Sequence, residues 1–344
     1  MERSEILFLY DISDANPNGD PLDDNKPRLD EETEINLVTD VRLKRTIRDY
    51  LKDFKGEEIF IREVRNDEGN LQDAKQRALD YAKTEEYKSI GDAKKELQEK
   101  ITNECIDVRL FGATIPLEVK IEGKKNKESG SVTLTGPVQF RMGRSLHKVE
   151  INHIKGTGAF ASGEGKDQKT FREEYVLPYS LISFYGVINE NAAKETNMSD
   201  EDIPLLMEGI WNGTKNLISR SKFGQVPRIL LQIEYSKENF FIGDLNNKVS
   251  LTHDLDNDKQ IRSINDFNVE LSLLISSIEE NKDNISKIYY KFDNQVSFEG
   301  YSDSRELLSK FEELGIEVSE IEFWGNLNVW KAFSFWYMGR LCLL

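Results

Sequence analysis

The sequence predicts an α+β fold with the strand–helix order of a ferredoxin-like or RRM-like domain. Three observations predict it. Short apolar runs and helix-patterned segments follow one another as strand, helix, strand, strand, helix, strand between Ile6 and Tyr235. Two polar stretches, Asp53–Lys127 and Lys155–Phe171, interrupt this order as insertions. The length of 344 residues, with 38% apolar and 31% charged residues, suits one large domain with insertions or two domains.

The elements follow in chain order. Ile6-Leu7-Phe8-Leu9-Tyr10 is a continuous apolar run and reads as a fully buried strand. Asp14–Asn36 is built from Asn, Pro, Gly and Asp and reads as a long loop. Leu37, Val41, Ile47 and Leu51 recur at helical spacing, with Asn36 or Thr39 as the cap. Asp53–Lys127 is mostly polar and helical, rich in Ala, Lys, Glu and Leu over Asp73–Tyr87 and Asp92–Ile101, with a turn at Lys124–Glu128. Ser131–Phe140 alternates and favours a strand. Lys155–Phe171, rich in Gly, Ser and Lys, reads as a flexible projecting loop, and Tyr175–Ile188 as the next strand. Asp200–Ser219 is a helix capped by Asp200, with Leu205, Leu206, Ile210 and Leu217 on one face. Pro227–Tyr235 closes the series as a strand. Beyond Ser236 the chain is acidic, with strands expected over Phe240–Val249 and Ile288–Phe298 and helices over Val269–Ile278 and Ser304–Leu314. Phe323–Leu344 holds all but one of the four tryptophans and ends on Leu341-Cys342-Leu343-Leu344.

Composition narrows the function. No run approaches the ~18 apolar residues of a membrane span, and Met1–Leu9 lacks the order of a signal peptide, so a cytoplasmic protein with no membrane partner is expected. Cys105 and Cys342 lie far apart, give no zinc spacing and are expected as reduced thiols. With three histidines, a histidine-rich metal site is not expected, and no metal or cofactor is. The chain has no G-x-S-x-G, no P-loop and no dinucleotide glycine pattern, so no catalytic residue is named. A net charge of −16 argues against nucleic acid, but the mean hides a pattern. Asp107–Tyr175 carries twelve Lys/Arg against nine Asp/Glu, and Ile203–Tyr235 four against two. An acidic protein can present a basic track along one groove.

Several clusters could contact a polyanion. In Asn16-Pro17-Asn18-Gly19-Asp20-Pro21, the Asn side chains either brace a turn or donate to a phosphate. Asp11, Asp14, Asp20, Asp23, Asp24 and Asp30 crowd this loop, either as a solvated run or as magnesium ligands. Lys44 and Arg48 share a helix face with Arg45 beside them; Asp40 and Asp49 neutralise them, or an RNA phosphate does. Arg141, Arg144, His147 and Lys148 form a positive rim if the segment bends at Gly143. Lys155, Lys166 and Lys169 sit in the glycine-rich loop, which suits a clamp over a polyanion or a plain surface loop. Arg220 and Lys222 end a helix, where positive charge is favourable whatever the function.

Asn16–Pro21, Pro27-Arg28-Leu29-Asp30 and Val38–Tyr50 closely resemble the N-terminal signature of the type I-B and I-C CRISPR Cascade backbone subunits, the "Cas seven" family of the RAMP superfamily. Asp107–Ala113, Gly136–Phe140, Ser145-Leu146 and Val176–Leu181 continue the resemblance over roughly residues 4–236. It implies an RRM-like palm (1–53, 131–148 and 176–344), a helical finger insertion (54–130) and a hairpin-like thumb (149–175). It further implies a non-catalytic subunit that stacks in several copies along a CRISPR guide RNA, beside other Cascade subunits, and supports pairing with target DNA. The RNA contacts expected are Asn16, Asn18, Arg28, Arg42, Lys44, Arg45, Arg48, Arg109, Arg141, Arg144, His147, Lys148, Lys155, Lys166, Lys169, Arg220 and Lys222. The alternative is a metal-dependent endoribonuclease using Asp14, Asp20, Asp23 or Asp24, as related type III backbone subunits use a loop aspartate. A module that contacts only proteins is a third reading.

Overall fold

A computed structural model of the chain describes residues 1–82, 86–161 and 169–323. The fold is mixed α+β around a central sheet. Its first strand, β1 (Ser4–Ala15), extends well beyond the apolar run and is almost wholly buried. The other principal strands are β2 (Ile35–Val38), β3 (Gly112–Val119), β4 (Glu128–Thr135), β5 (Gly143–Lys148), β6 (Asn152–Ala161), β7 (Lys169–Ile188), β8 (Val226–Tyr235), β9 (Ile285–Phe292) and β10 (Glu317–Glu320). The longer helices are α1 (Asp40–Tyr50), α2 (Ile90–Glu104), α3 (Asp202–Lys215) and α4 (Ser304–Glu313). The sheet runs β10-β9-β8-β1-β7-β5-β2, with Leu29–Asp30 beyond β2. β1 lies antiparallel between β7 and β8, with Leu7 opposite both Tyr185 and Leu231. The inner order β8-β1-β7-β5, with α1 and α3 on one side, is consistent with a ferredoxin-like or RRM-like palm.

Strand alternation sends successive β1 side chains to opposite faces. Ile6, Phe8, Tyr10 and Ile12 meet Leu43 and Ile47 of α1 and Leu206 and Ile210 of α3. The two helices approach closely, since a Cβ on Gly209 would lie 2.8 Å from Ile47 Cγ2. Leu7 and Leu9 point the other way, into a second core with Leu245, Ile264, Leu274, Ile278, Leu307 and Phe311. The acidic region after Ser236 therefore covers the second face of the sheet. A third core joins Tyr81, Leu97, Ile101, Ile115, Leu117 and Val132 within the first insertion.

Several expectations are corrected. Asp14–Asn36 is a chain of short ladders, Gly19–Asp20 with Lys26–Pro27 and Leu29–Asp30 with β2, and is not one open loop. Helix α1 begins at Asp40 with Thr39 as its cap, because Leu37 and Val38 belong to β2, and Val41 is exposed. The first insertion is only partly helical, since the β3–β4 hairpin closes it. Lys155–Phe171 is no simple loop: its described ends pair as the β6–β7 hairpin, with Lys155 opposite Glu173. Asp200 does not cap α3, which starts at Asp202, and Leu217 lies beyond its end. Phe240–Val249 forms no strand, only a 3-10 turn at Leu245–Lys248. The remaining late elements sit close to their predicted places, as β9, α4 and a helix over Ser272–Glu280. Lys166 and the stretch 324–344, with its three tryptophans and Cys342, lie outside the described residues.

Candidate nucleic-acid interface

An RRM-like sheet can stack bases on its open face. That face is filled here, and Tyr179, Tyr185 and Tyr235 on it are at most 5% exposed. Among the cations singled out in the sequence, Arg42, Lys44, Arg45, Arg144, Lys148 and Lys222 lie on α1, on β5 and in the turn after α3.

The amino end of α1 is built as a braced unit. Thr39 Oγ1 accepts the Arg42 backbone N–H at 3.2 Å and so caps the helix. Asn18 Oδ1 in turn accepts both the backbone N–H and the hydroxyl of Thr39, each at 2.9 Å. Asn16 is buried; its amide donates to the Asn25 carbonyl at 2.7 Å, and its backbone N–H to the Ser221 carbonyl at 2.7 Å. These contacts bring the first loop, α1 and the turn after α3 together.

Two cations in that unit have no ion-pair partner among the described residues. Arg42 lies on α1, half-buried, with Nη2 on Thr46 Oγ1 at 3.0 Å and no partner for Nε among the described residues. Lys222 donates to the Asn16 carbonyl at 3.1 Å. Among the described residues neither makes an ion pair. Burial lowers the pKa of Lys222, and the Arg42 charge beside it lowers it further. Burial also lowers the pKa of Arg42, opposed by the Asp49 carboxylate. Arg28 Nε and Asn16 Oδ1 are likewise buried without a partner among the described residues. Desolvated cations without an ion-pair partner are stabilised by an anion.

The other residues singled out in the sequence fall into different settings. Lys44 pairs with Asp40 at 3.1 Å and Arg45 with Asp49 at 2.7 Å, so the two acids foreseen as neighbours do neutralise them. Arg48 turns inward to Asp107 at 2.9 Å, with its guanidinium 5.1 Å from the centre of the Phe111 ring. Arg109 grips Asp202 of α3 at 2.9 Å and the carbonyls of Thr102 and Asn103. Arg28 bonds Asp20 at 2.7 Å. β5 begins at Gly143 and alternates its side chains from there, while Arg141 lies outside the strand. Arg144 and Lys148 are exposed and lie near Asp30 (3.4 Å) and Glu34 (3.5 Å). Arg141 is exposed beside Asp244 and Tyr185. The structure does not gather the four groups into one rim, since His147 alternates to the buried side of β5. His147, expected at the surface, is buried: Nδ1 contacts the Lys148 carbonyl at 2.9 Å and Nε2 accepts the Leu181 N–H at 3.2 Å. Burial lowers its pKa, so it is a neutral brace between β5 and β7. Lys155 is exposed near Glu173 (3.6 Å), Arg220 near Glu174 (3.6 Å), and Lys169 begins β7.

The loop aspartates are largely engaged locally. Asp20 holds Arg28 and the Leu22 N–H, Asp23 holds Lys26 at 2.6 Å, and Asp14 and Asp24 sit at left-handed turn positions. Among the described residues, no group of three or more His, Cys, Asp or Glu side chains is placed to hold a metal ion. No described helix is long and apolar enough to cross a membrane.

Comparison with known proteins decides the family. The model of the CRISPR-associated protein Cas7 family matches residues 2–272. The chain belongs to the Cas7 family. A curated relative from Haloferax volcanii, named CRISPR-associated protein Cas7, is 33% identical over 346 residues, covering 94% of this chain and 97% of the relative. Two solved chains, described as a CRISPR RNA-guided surveillance complex and as such a complex before nicking, are similar at 11% and 10% identity. Each has a TM-score of 0.48 and covers 90% of this chain and 99% of its own.

In this Cas7 chain the sequence reading missed the counterions rather than the cations. Asp107 and Asp202 are buried and commit Arg48 and Arg109 to the fold. A local signal existed for Asp107, an acid inside the apolar run Ile106–Phe111. Gln139, which accepts from Lys44 at 3.2 Å, and Asn36, fully buried between β5 and β7, carried no such signal.

Proposed function

We propose that this Cas7-family chain is a non-catalytic RNA-binding backbone subunit of a type I Cascade-like surveillance complex. Residues 1–53, 131–148 and 176–344 serve as its palm, 54–130 as its finger and 149–175 as its thumb. Copies of the chain line a CRISPR guide RNA beside other Cascade subunits and hold it for pairing with target DNA in antiviral defence. The observation that carries the reading is the pair Arg42 and Lys222, without an ion-pair partner among the described residues, at the braced amino end of α1. Such a pair suits one backbone phosphate, held by position rather than by base identity. Lys44, Arg45, Arg144, Lys148, Lys155 and Arg220 are further exposed or near-surface cations, each beside an acid. The covered sheet face favours phosphate contacts over base stacking.

The test is a titration of the purified full chain with single-stranded RNA across a salt series, beside the same titration with magnesium and complementary RNA. Salt-sensitive binding without cleavage is expected. Absence of RNA binding at low salt overturns the reading, and magnesium-dependent cleavage lost on Asp20→Ala or Asp24→Ala replaces it with the endoribonuclease alternative.

A further inference from the structure

Among the described side chains, Phe54, Phe223 and Phe241 are the exposed aromatics. Two of them are occupied. Phe54 stacks on Tyr50 with ring centres 4.9 Å apart, and the Arg3 guanidinium lies 5.8 Å from the centre of the Phe241 ring. Phe223 is 66% exposed and makes no ring or cation contact among the described residues. Its backbone is held. The Lys222 and Phe223 N–H groups both donate to the Ser219 carbonyl, at 3.1 and 2.8 Å. The Ser221 carbonyl accepts the Asn16 N–H at 2.7 Å, and the buried Gln225 side chain donates to the Lys222 carbonyl at 3.3 Å. Gly224 then takes φ +88°, which suits glycine, and turns the chain into β8. The turn thus fixes where the ring stands and leaves it open to water.

The setting narrows what covers that ring. Lys222, the preceding residue, folds back onto the Asn16 carbonyl and makes no ion pair among the described residues. Neighbouring apolar and acidic groups belong to other hollows. Ile218 opens onto a groove with Leu217 and Phe54 that does not take in Phe223. Asp24, Glu173 and Glu174 line a hollow with Ser219, Arg220 and Ser221 that takes in neither Lys222 nor Phe223. A single ring offers a protein partner little area, whereas it offers a nucleobase a complete platform. A cation beside it suits the phosphate of the same strand.

We propose that Phe223 is a stacking platform for one base of the strand whose phosphate sits at Arg42 and Lys222. The contact is tolerant of sequence, because every base has a π-face. The role that the covered sheet face does not offer passes to the turn after α3. The inference rests on the RNA-binding reading for its strand and adds a base contact that the phosphate site does not contain.

The full chain and its Phe223→Ala, Phe223→Leu and Phe223→Trp variants are titrated across a salt series with single-stranded RNA and with an abasic ribose–phosphate strand of the same length. Phe223→Ala should bind the RNA roughly 5- to 150-fold more weakly, the scale of losing one base–aromatic stack. The slope of log K against log salt should not change, because no phosphate contact is lost. Phe223→Leu should match Phe223→Ala, Phe223→Trp should match the wild type, and all four should bind the abasic strand alike. Equal RNA affinity of the wild type and Phe223→Ala overturns the proposal. So does wild-type affinity in Phe223→Leu, which marks a plain apolar contact, and so does an equal loss by Phe223→Ala on the abasic strand, which places the ring against the backbone or the fold. A wild type that binds neither strand at low salt sinks the RNA reading itself, and this inference with it.

Discussion

The Arg42–Lys222 pair makes a prediction that separates one phosphate from two. Replace each by Gln, singly and together. A hydrogen bond to a charged group contributes about 1.5–3 kcal/mol, so each single change should weaken RNA binding by roughly 10- to 150-fold at low salt. Each single-strand phosphate neutralised contributes about 0.7 to the slope of log K against log salt. If both cations hold one phosphate, the double variant lowers the slope by about 0.7, and the energies of the single variants do not add. If each holds its own, the slope falls by about 1.4 and the energies add. Filter binding at four or five salt concentrations measures all three variants. Because the two charges disfavour each other in the free protein, the variants should unfold at or above the wild-type temperature. An unchanged slope in the double variant, or a clear fall in Tm of the RNA-free protein, refutes the argument.

Arg48→Ala should behave in the opposite way. Its partner Asp107 is fully buried, so the change strands a carboxylate that keeps only the N–H groups of Phe60 and Ile61 and costs about 3 kcal/mol, read by denaturant unfolding. Gly136→Ala should also destabilise, by about 1–3 kcal/mol or more, because its Cβ would lie 2.0 Å from the Phe111 carbonyl carbon and 2.3 Å from Gly112 N, and neither backbone can yield; the same unfolding curve measures it. His147 sets a pH dependence. Its pKa is lowered by burial, so its contribution is complete above the unfolded value of about 6.5 and is lost as pH falls and the unfolded chain alone takes up the proton. Tm should therefore drop between about pH 6.5 and 5 in the wild type and less in His147→Gln, with parallel curves counting against the assignment.

The parts of this fold that were legible are those written in local pattern. The apolar run at Ile6–Tyr10 and the strand at Pro227–Tyr235 each declare an element that burial confirms, and the helix read from Leu37, Val41, Ile47 and Leu51 exists, although of these Leu37 lies in β2 and Val41 is exposed. Ladders of two residues, such as Gly19–Asp20 with Lys26–Pro27, leave no periodicity to read. Composition alone read the β6–β7 hairpin as a loop, because its Gly and Lys content mimics one and its pairing depends on a partner across the turn; the hairpin-like form was expected only from the family resemblance. Helix boundaries shifted where a cap competed with a strand: Thr39 caps α1 because Leu37 and Val38 are already hydrogen-bonded to β5.

The candidate site was legible in its residue types and not in their pairing. Sequence placed Arg42, Lys44, Arg45 and Arg48 on one helix and gave them one role. Structure separates them by what stands opposite. Arg48 faces a buried acid, Lys44 and Arg45 face acids at the surface, and Arg42, which feels the Asp49 carboxylate, and Lys222 make no ion pair among the described residues. An anion relieves the desolvation of these last two. This also resolves the objection posed by a net charge of −16. Many of the acids are committed to cations or, like those beyond Ser236, lie in a region packed on the far face of the sheet, so the overall count says little about the edge of α1. What governs affinity there is how few counterions the fold supplies within hydrogen-bond reach of Arg42 and Lys222, a quantity that no count along the chain contains.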